Sequence, residues 1–496
     1  MSRRASPLAL ALSAAAVAVL ALVAWWPVLD LALLGWDSYP LILAGRIVDV
    51  ADLVGTLGEE LMDGLYPLGH FWRPVVHLSF ALDHALWGLE PAGYHANDLG
   101  LLALCGVALL FVARRLLGGG AWFAPLVAGV LYVLHPVQLE ILPVAARRAE
   151  ALAVMFTLLA VLWQPLAGEP RRRAWLAGLC CALALASKET GAMATGLVLA
   201  LAFADARESG WGSRLGSALR AAWPSLALFA ATFAARTAAL GGLGGSRESS
   251  LTENLTSAPA ILRRYLGDLV APSSFFGEAS PLVANVLLVL LVVLLARLSR
   301  ARAAESRSDQ EPALLEPERV ALFLVLSALV VGLVTSVSGL ERGWYALPFL
   351  PLFALAVALA LHLGLRGLRR GPRIAGTLAV LLVLRLVIVP TWGVSRVGEL
   401  EPFARASLDQ AAFLGRLDAA VETTRPPATV RVEGMPIERR ADPIDPDSRN
   451  ILMLAPYSVQ AYARLRFPRR ALRFELAGRT TGVPAGPDEL VVVLAP

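Results

Sequence analysis

The sequence predicts an α-helical polytopic membrane protein, on three observations. Hydrophobic residues make up 57% of its 496 residues and charged residues 17%, with a mean hydropathy of +0.63, too apolar for a water-soluble chain. Apolar runs close to the ~20 residues that cross a hydrocarbon core recur along it. Arginines collect between alternate runs, the bias of cytoplasmic loops.

The runs lie at 8–29, 95–113, 121–138, 149–166, 174–187, 190–205, 221–240, 281–299, 320–338, 345–365 and 374–392, about eleven spans by length. The first follows Met1-Ser-Arg-Arg, is long for a signal-peptide core and ends in Trp25-Trp26-Pro27, a poor cleavage site. It reads as an uncleaved span. With the N-terminus cytoplasmic, the inner segments hold Arg3-Arg4, Arg114-Arg115, Arg171-Arg172-Arg173, Arg207/Arg214/Arg220, Arg297 to Arg319 and Arg366 to Arg373. An odd number of spans then puts the C-terminus outside. The expectation is a multi-pass protein of the cell (inner) membrane.

Residues 1–394 read as one transmembrane unit whose first outer loop is 36–94. In that loop Ile47, Val48, Val50, Leu53, Val54 and Leu57 recur at roughly helical spacing, as in a helix lying along the interface. Arg73 to Trp87 is apolar but short and carries Asp83, His77 and His84. It reads as a second interfacial or re-entrant helix, with a full span as the alternative. A short helix is expected at 260–270. Residues 395–496 have ordinary soluble composition, with β-like alternation at 428–435, 461–467, 472–476 and 489–494, and predict a small α/β outer domain.

The formal net charge of +5 is carried almost wholly by arginine, and Lys188 is the lone lysine. Cys105, Cys180 and Cys181 all lie in apolar runs, unsuited to a disulfide or a metal site. On this topology the unusual polar residues fall at outer helix ends: Asp37, Arg73, Asp83, His84, His95, Asn97, Asp98, His135, Glu140, Arg147, Arg148, Glu150, Lys188, Glu189, Glu341, Arg342 and Tyr345. Each alone has a bland reading: a helix terminator for His135-Pro136, a local ion pair for Lys188-Glu189, a headgroup contact for Arg342. Jointly they imply a shared polar cavity opening outward, because an isolated charge in a membrane helix costs about 2.5–3.5 kcal/mol. Carboxylates can accept a proton or hold a metal, and Arg and Lys can hold a phosphate. Such a site suits a lipid-phosphate-linked donor whose tail stays in the bilayer.

Gly35-Trp-Asp-Ser-Tyr-Pro40, Trp72-Arg-Pro through Leu-Trp-Gly88, Gly93-Tyr-His-Ala-Asn97, Leu134-His-Pro-Val-Gln-Leu-Glu140, Ser187-Lys-Glu189 and Glu341-Arg-Gly-Trp-Tyr345 occur in that order. The set resembles the GT-C fold integral-membrane glycosyltransferases, in particular the protein O-mannosyltransferase-like branch that often carries a tetratricopeptide-repeat tail. The resemblance covers about residues 8–392. It implies a polyprenyl-phosphate-linked sugar donor and an acidic base at the end of the first helix, which is Asp37. Lys188, Arg342 and Arg73 would bind the donor phosphate, and His95, His135, Glu140, Glu189 and Tyr345 would orient substrate. Two departures stand out. Ser38 replaces the second of two adjacent acids, which weighs against a divalent metal held by the pair. The 395–496 segment stands where the repeat tail would be, which weighs against a protein acceptor.

The function expected is therefore inverting sugar transfer to an acceptor hydroxyl, on a protein or an envelope glycan or lipid, at the outer face. No cofactor is established by the sequence, a divalent metal stays an open but doubtful alternative, and no nucleic acid is a partner. A transporter or lipid flippase would need polar groups at mid-membrane and a repeated topology. A non-catalytic scaffold leaves Asp37, Lys188 and Arg342 on one face unexplained.

Overall fold

Six helices are long and apolar enough to cross a membrane among the residues that this computed structural model describes, namely 7–64, 69–118, 122–246, 251–270, 315–338, 343–366, 400–423, 428–432, 434–440, 450–468, 472–476 and 489–492. Three of them leave large apolar side chains open: Leu12 and Val23 on the first, Trp223 and Phe233 on another, Leu329 and Leu333 on a third. Helices of that length with bare apolar faces are what lipid covers, and the chain is a multi-pass membrane protein.

In chain order, α1 (Pro7–Trp25) leads into a 3-10 turn, Trp26–Asp30, started by Pro27. The first loop holds α2 (Ser38–Ala44), α3 (Val50–Gly55) and α4 (Pro74–Trp87). Then follow α5 (Pro91–Leu117), α6 (Phe123–Leu134), α7 (Arg148–Trp163), α8 (Arg173–Ser187), α9 (Met193–Asp205) and α10 (Trp211–Leu240). Next come α11 (Leu251–Val270), α12 (Pro317–Ser338) and α13 (Leu350–Arg366), the last entered through a 3-10 turn, Gly343–Phe349. Helices stand at nine of the expected spans; the runs at 281–299 and 374–392 lie outside the described residues. The helix expected at 260–270 begins earlier, at Leu251.

Helix α5 packs on α1, α6 and α7, while α8 packs on α7 and α10. The Trp25 indole donates to Val133 O at 2.7 Å and ties α1 to α6. Helix α4 has 14 residues, about 21 Å at 1.5 Å per residue, short of the ~30 Å hydrocarbon core. Helix α3 is capped by reciprocal Asp49 and Asp52 bonds and leaves Val48, Val50, Leu53, Val54 and Leu57 exposed.

The helix ends fall into two groups. At one end Arg115 donates to Val161 O at 3.0 Å, Ala167 N to Asp205 Oδ2 at 2.7 Å and Arg319 to Asp205 O at 2.7 Å. The opposite end holds the first loop, the α8–α9 break and the turn before α13.

Past residue 400, α14 (Glu401–Thr423) precedes β3 (Ala428–Val432); the earlier strands β1 (Gly69–His70) and β2 (Gly245–Ser246) form a two-stranded clip between the first loop and the end of α10. Strands β4 (Glu438–Arg440) and β5 (Asn450–Leu452) pair antiparallel. After α15 (Pro456–Arg466), β6 (Leu472–Leu476) and β7 (Glu489–Val492) flank β3 in parallel, in the order β6-β3-β7. The strand expected at 461–467 is instead part of α15, because Pro456 at its first turn starts a helix.

Candidate active site

The turn that carries Asp37 is built by Gly35. Its φ of +98° lies in the region that favours glycine, and a Cβ there would stand 2.6 Å from Val144 Cγ1. The turn leads into α2 with Asp37 as its N-cap, yet the Asp37 side chain makes no capping bond. Ser38, in the second acid's place, turns inward and donates to Leu34 O at 2.6 Å. The half-buried Asp37 carboxylate accepts a 2.8 Å bond on Oδ1 from the Tyr457 hydroxyl. Burial raises its pKa above the ordinary carboxylate range, against the Tyr457 bond and the charges of Arg73 and Arg147.

Arg73, at the N-cap of α4, donates to Glu189 Oε2 from Nη2 at 2.7 Å and from Nε at 3.2 Å. Helix α8 ends at Ser187; Lys188 is extended (φ −162°, ψ 152°), and Glu189 opens a 3-10 turn into α9. The break sends the two neighbours to different partners. Lys188, 6% exposed, pairs with Glu150 in the first turn of α7, and its ammonium lies 4.3 Å from the Tyr345 ring centre. Burial lowers the Lys188 pKa against the pull of Glu150. Burial would raise Glu189, but the Arg73 charge and hydrogen bond, with a backbone bond and the Arg236 charge, together hold the carboxyl below its usual value. Arg147 stacks 4.1 Å over Trp344 and donates to Glu140 O at 2.6 Å. Gly343 permits this approach: a Cβ there would meet Glu140 Cδ at 2.8 Å. Arg236, from α10, adds its charge toward Glu189 and Arg73.

Asp37, Arg73, Lys188, Glu189, Glu140 and Tyr345 therefore gather at one end of the helices, coupled through Arg73 and Arg147. The remaining expected residues differ. Buried His135 sets Nε2 2.9 Å from Leu269 O, and its Nδ1 accepts from Val137 N. Buried His95 lies 3.3 Å from Ala32 O, behind the Asp37 turn. Both rings thus face backbone carbonyl groups. Asp83 and Asp98, read from the sequence as polar groups at the outer helix ends, are buried on either side of Arg148, each 2.5 Å from its guanidinium. Arg342 lies outside the described residues. Sequence reading placed Glu150 and Arg147 among the polar residues at the outer helix ends but gave them no role, and it missed Arg236 and Tyr457. Among the described residues no three His, Cys, Asp or Glu side chains gather as metal ligands. With Ser38 turned inward, the residues present do not fit a metal held by adjacent acids, and no step is drawn through one.

The geometry defines a multi-pass membrane protein with a carboxylate and cation site at one end of its helices. No protein-family model matches the sequence. Protein O-mannosyl-transferase TMTC2 of Mus musculus is 38% identical over 92 residues, 18% of this chain and 11% of that protein. Its Homo sapiens counterpart is 34% identical over 128 residues, 24% of this chain and 15% of the human protein. Protein O-mannosyl-transferase Tmtc3 of Drosophila melanogaster is 32% identical over 155 residues, covering 25% and 16%. The sequence relatives are thus protein O-mannosyl-transferases, the branch that the motif order resembles, and the matched stretch spans a small part of their length. Among solved structures, archaeal oligosaccharyltransferase AglB from Archaeoglobus fulgidus, in complex with an inhibitory peptide and a dolichol-phosphate, aligns with a TM-score of 0.45 at 12% identity, over 93% of this chain and 64% of that chain. ArnT from Cupriavidus metallidurans bound to undecaprenyl phosphate aligns with a TM-score of 0.46 at 15% identity, over 93% and 89%.

Proposed function

We propose that the chain is an inverting glycosyltransferase that moves a sugar from a polyprenyl-phosphate donor to an acceptor hydroxyl, at the outer face of the cell membrane. The observation that carries this reading is one carboxylate, unspent on capping, beside a set of paired cations at the ends of lipid-facing helices. Asp37 takes the proton of the acceptor hydroxyl as its oxygen attacks the anomeric carbon. The bond from that carbon to the phosphate oxygen breaks, and negative charge grows on the leaving phosphate. Lys188 and Arg73, with Arg342, stabilise that charge. Both described cations already face carboxylates, Glu150 and Glu189, so the site holds them desolvated and oriented before the donor arrives. Glu140 and Tyr345 border the same space and orient sugar or acceptor. The relatives named as O-mannosyl-transferases support sugar transfer. In this reading the helices before residue 395 supply the groups that touch donor and acceptor, and the residues from 400 onward pack on the Asp37 turn at their outer end.

The test is transfer of radiolabelled sugar from polyprenyl-phosphate mannose in membranes holding the full chain. Asp37→Asn is expected to lower the rate by about 10²–10⁴, the usual contribution of a general base, with the folded yield on size-exclusion chromatography unchanged. Near-full transfer by the variant would falsify the assignment.

A further inference from the structure

Asp37 sits in a turn bound on nearly every residue by a segment some 400 positions away. Ala32 N donates to Ser407 Oγ at 2.7 Å, and Gln410 Nε2 donates to Leu33 O at 2.9 Å. Gly35 N donates to Leu452 O at 3.1 Å, and the Trp36 indole donates to Ile437 O at 3.0 Å. The Ser458 hydroxyl donates to Trp36 O. The Tyr39 and Tyr462 rings meet edge to face, 5.0 Å between centres. These ties hold the backbone or the packing of the turn. One contact differs in kind: the Tyr457 hydroxyl reaches the Asp37 carboxylate itself, on Oδ1 at 2.8 Å. Oδ2 has no hydrogen-bond partner among the described residues, so among them only one oxygen is held.

We propose that Tyr457 is a positioning residue of the site: its phenol fixes the Asp37 carboxylate on one oxygen and leaves the other to the acceptor hydroxyl. The 400–468 segment is then part of the catalytic unit, an inference that rests on the sugar-transfer reading above. A carboxylate held on one side loses the rotation that would turn its basic lone pairs away from the acceptor. The bond also favours the ionised form, which burial opposes. The charged groups acting on Asp37 from the surrounding elements are Arg73 before α4 and Arg147 before α7. Each of these arginines is itself paired, with Glu189 and Glu140.

A role confined to folding predicts something else. The backbone of the turn keeps its ties to Ser407, Gln410, Leu452, Ile437 and Ser458 when the phenol oxygen is removed. Tyr457→Phe removes the carboxylate contact, and Ser458→Ala cuts a neighbouring tie from the same helix without touching the carboxylate.

The experiment uses the full chain in membranes, with two readouts for wild type, Tyr457→Phe, Ser458→Ala and Asp37→Asn. The first is the pH dependence of carbodiimide-driven labelling of Asp37 with glycine ethyl ester, read by peptide mass spectrometry. The second is transfer from polyprenyl-phosphate mannose. Tyr457→Phe is expected to move the labelling midpoint to higher pH and to lower kcat about tenfold, the worth of one such hydrogen bond, with KM for the donor unchanged. Ser458→Ala is expected to keep the wild-type midpoint. A wild-type midpoint and kcat in Tyr457→Phe overturn the proposal, and so does an equal shift in Ser458→Ala. If wild type transfers no sugar while the Tyr457→Phe midpoint still moves, the pairing is supported and the sugar-transfer reading falls.

Discussion

In the proposed reaction Asp37 acts as a base, and its surroundings hold it above the ordinary carboxylate range. Burial raises its pKa, with Tyr457, Arg73 and Arg147 pulling the other way. Since the ionised form accepts the proton, kcat/KM should rise with pH through that raised value and be lost as pH falls below it. Removing one of the opposing charges, in Arg147→Gln, should move this acid limb to still higher pH, measured as a pH–rate profile of sugar transfer. The residue itself was legible because an acid between Trp36 and Tyr39 at the end of an apolar run is unusual. Lys188 was legible as the lone lysine. Its partner was not: Glu189 is adjacent in sequence, but consecutive residues do not face each other across a helix end. The extended backbone at Lys188 sends its ammonium to Glu150 instead.

At the scale of elements, Arg148 is the rivet of the first loop. From the first turn of α7 it binds Asp83 on α4 and Asp98 on α5, each at 2.5 Å, and donates to Tyr94 O at 3.0 Å. It therefore fixes the short helix α4, and with it Arg73, against two spans. Arg148→Met strands two buried carboxylates and should cost about 3–5 kcal/mol of stability, read as a lower unfolding temperature of the purified protein. Adding Asp83→Asn and Asp98→Asn should recover most of the loss. Neither acid declared itself buried in the sequence, where a water-facing rim explains an Asp near a helix end equally well. The segment at 461–467 misled for a different reason. Ala461-Tyr-Ala-Arg-Leu-Arg-Phe467 alternates like a strand, and helical and strand periods are hard to separate over seven residues. That reading hid the helix that carries Tyr457.

Across the whole molecule, the arginine bias and the grouping of helix ends agree on which loops lie together, and in the proposed topology the Asp37 end faces outward. Leu408 on α14 and Trp211 at the start of α10 are each 71% exposed and belong to opposite ends. The three native cysteines are buried, so single cysteines introduced at these sites report without background. A membrane-impermeant maleimide added to intact cells should label Leu408→Cys, and should label Trp211→Cys only after permeabilisation. The reverse pattern would invert the topology. The long spans were legible from length and apolarity alone, through physics local to each run. The joining of 31–38 to the segment beyond 400 was not, because it rests on single side chains bonded to backbone groups far away in sequence, which no periodic pattern announces.

The hydrogen bond between Asp37 and Tyr457 joins residues 420 apart. At roughly 5–20 residues per second a ribosome needs about 20–80 s to travel that distance. Through that interval the first helices are already in the bilayer, with the turn bearing Asp37 made but lacking its braces. A chain stalled or cleaved before residue 400 thus carries every charged group of the site on its helices and none of the contacts that orient the acid. If the chain transfers sugar as proposed, the long separation makes that activity a late event in biosynthesis, coupled to completion of a segment that need not touch the sugar.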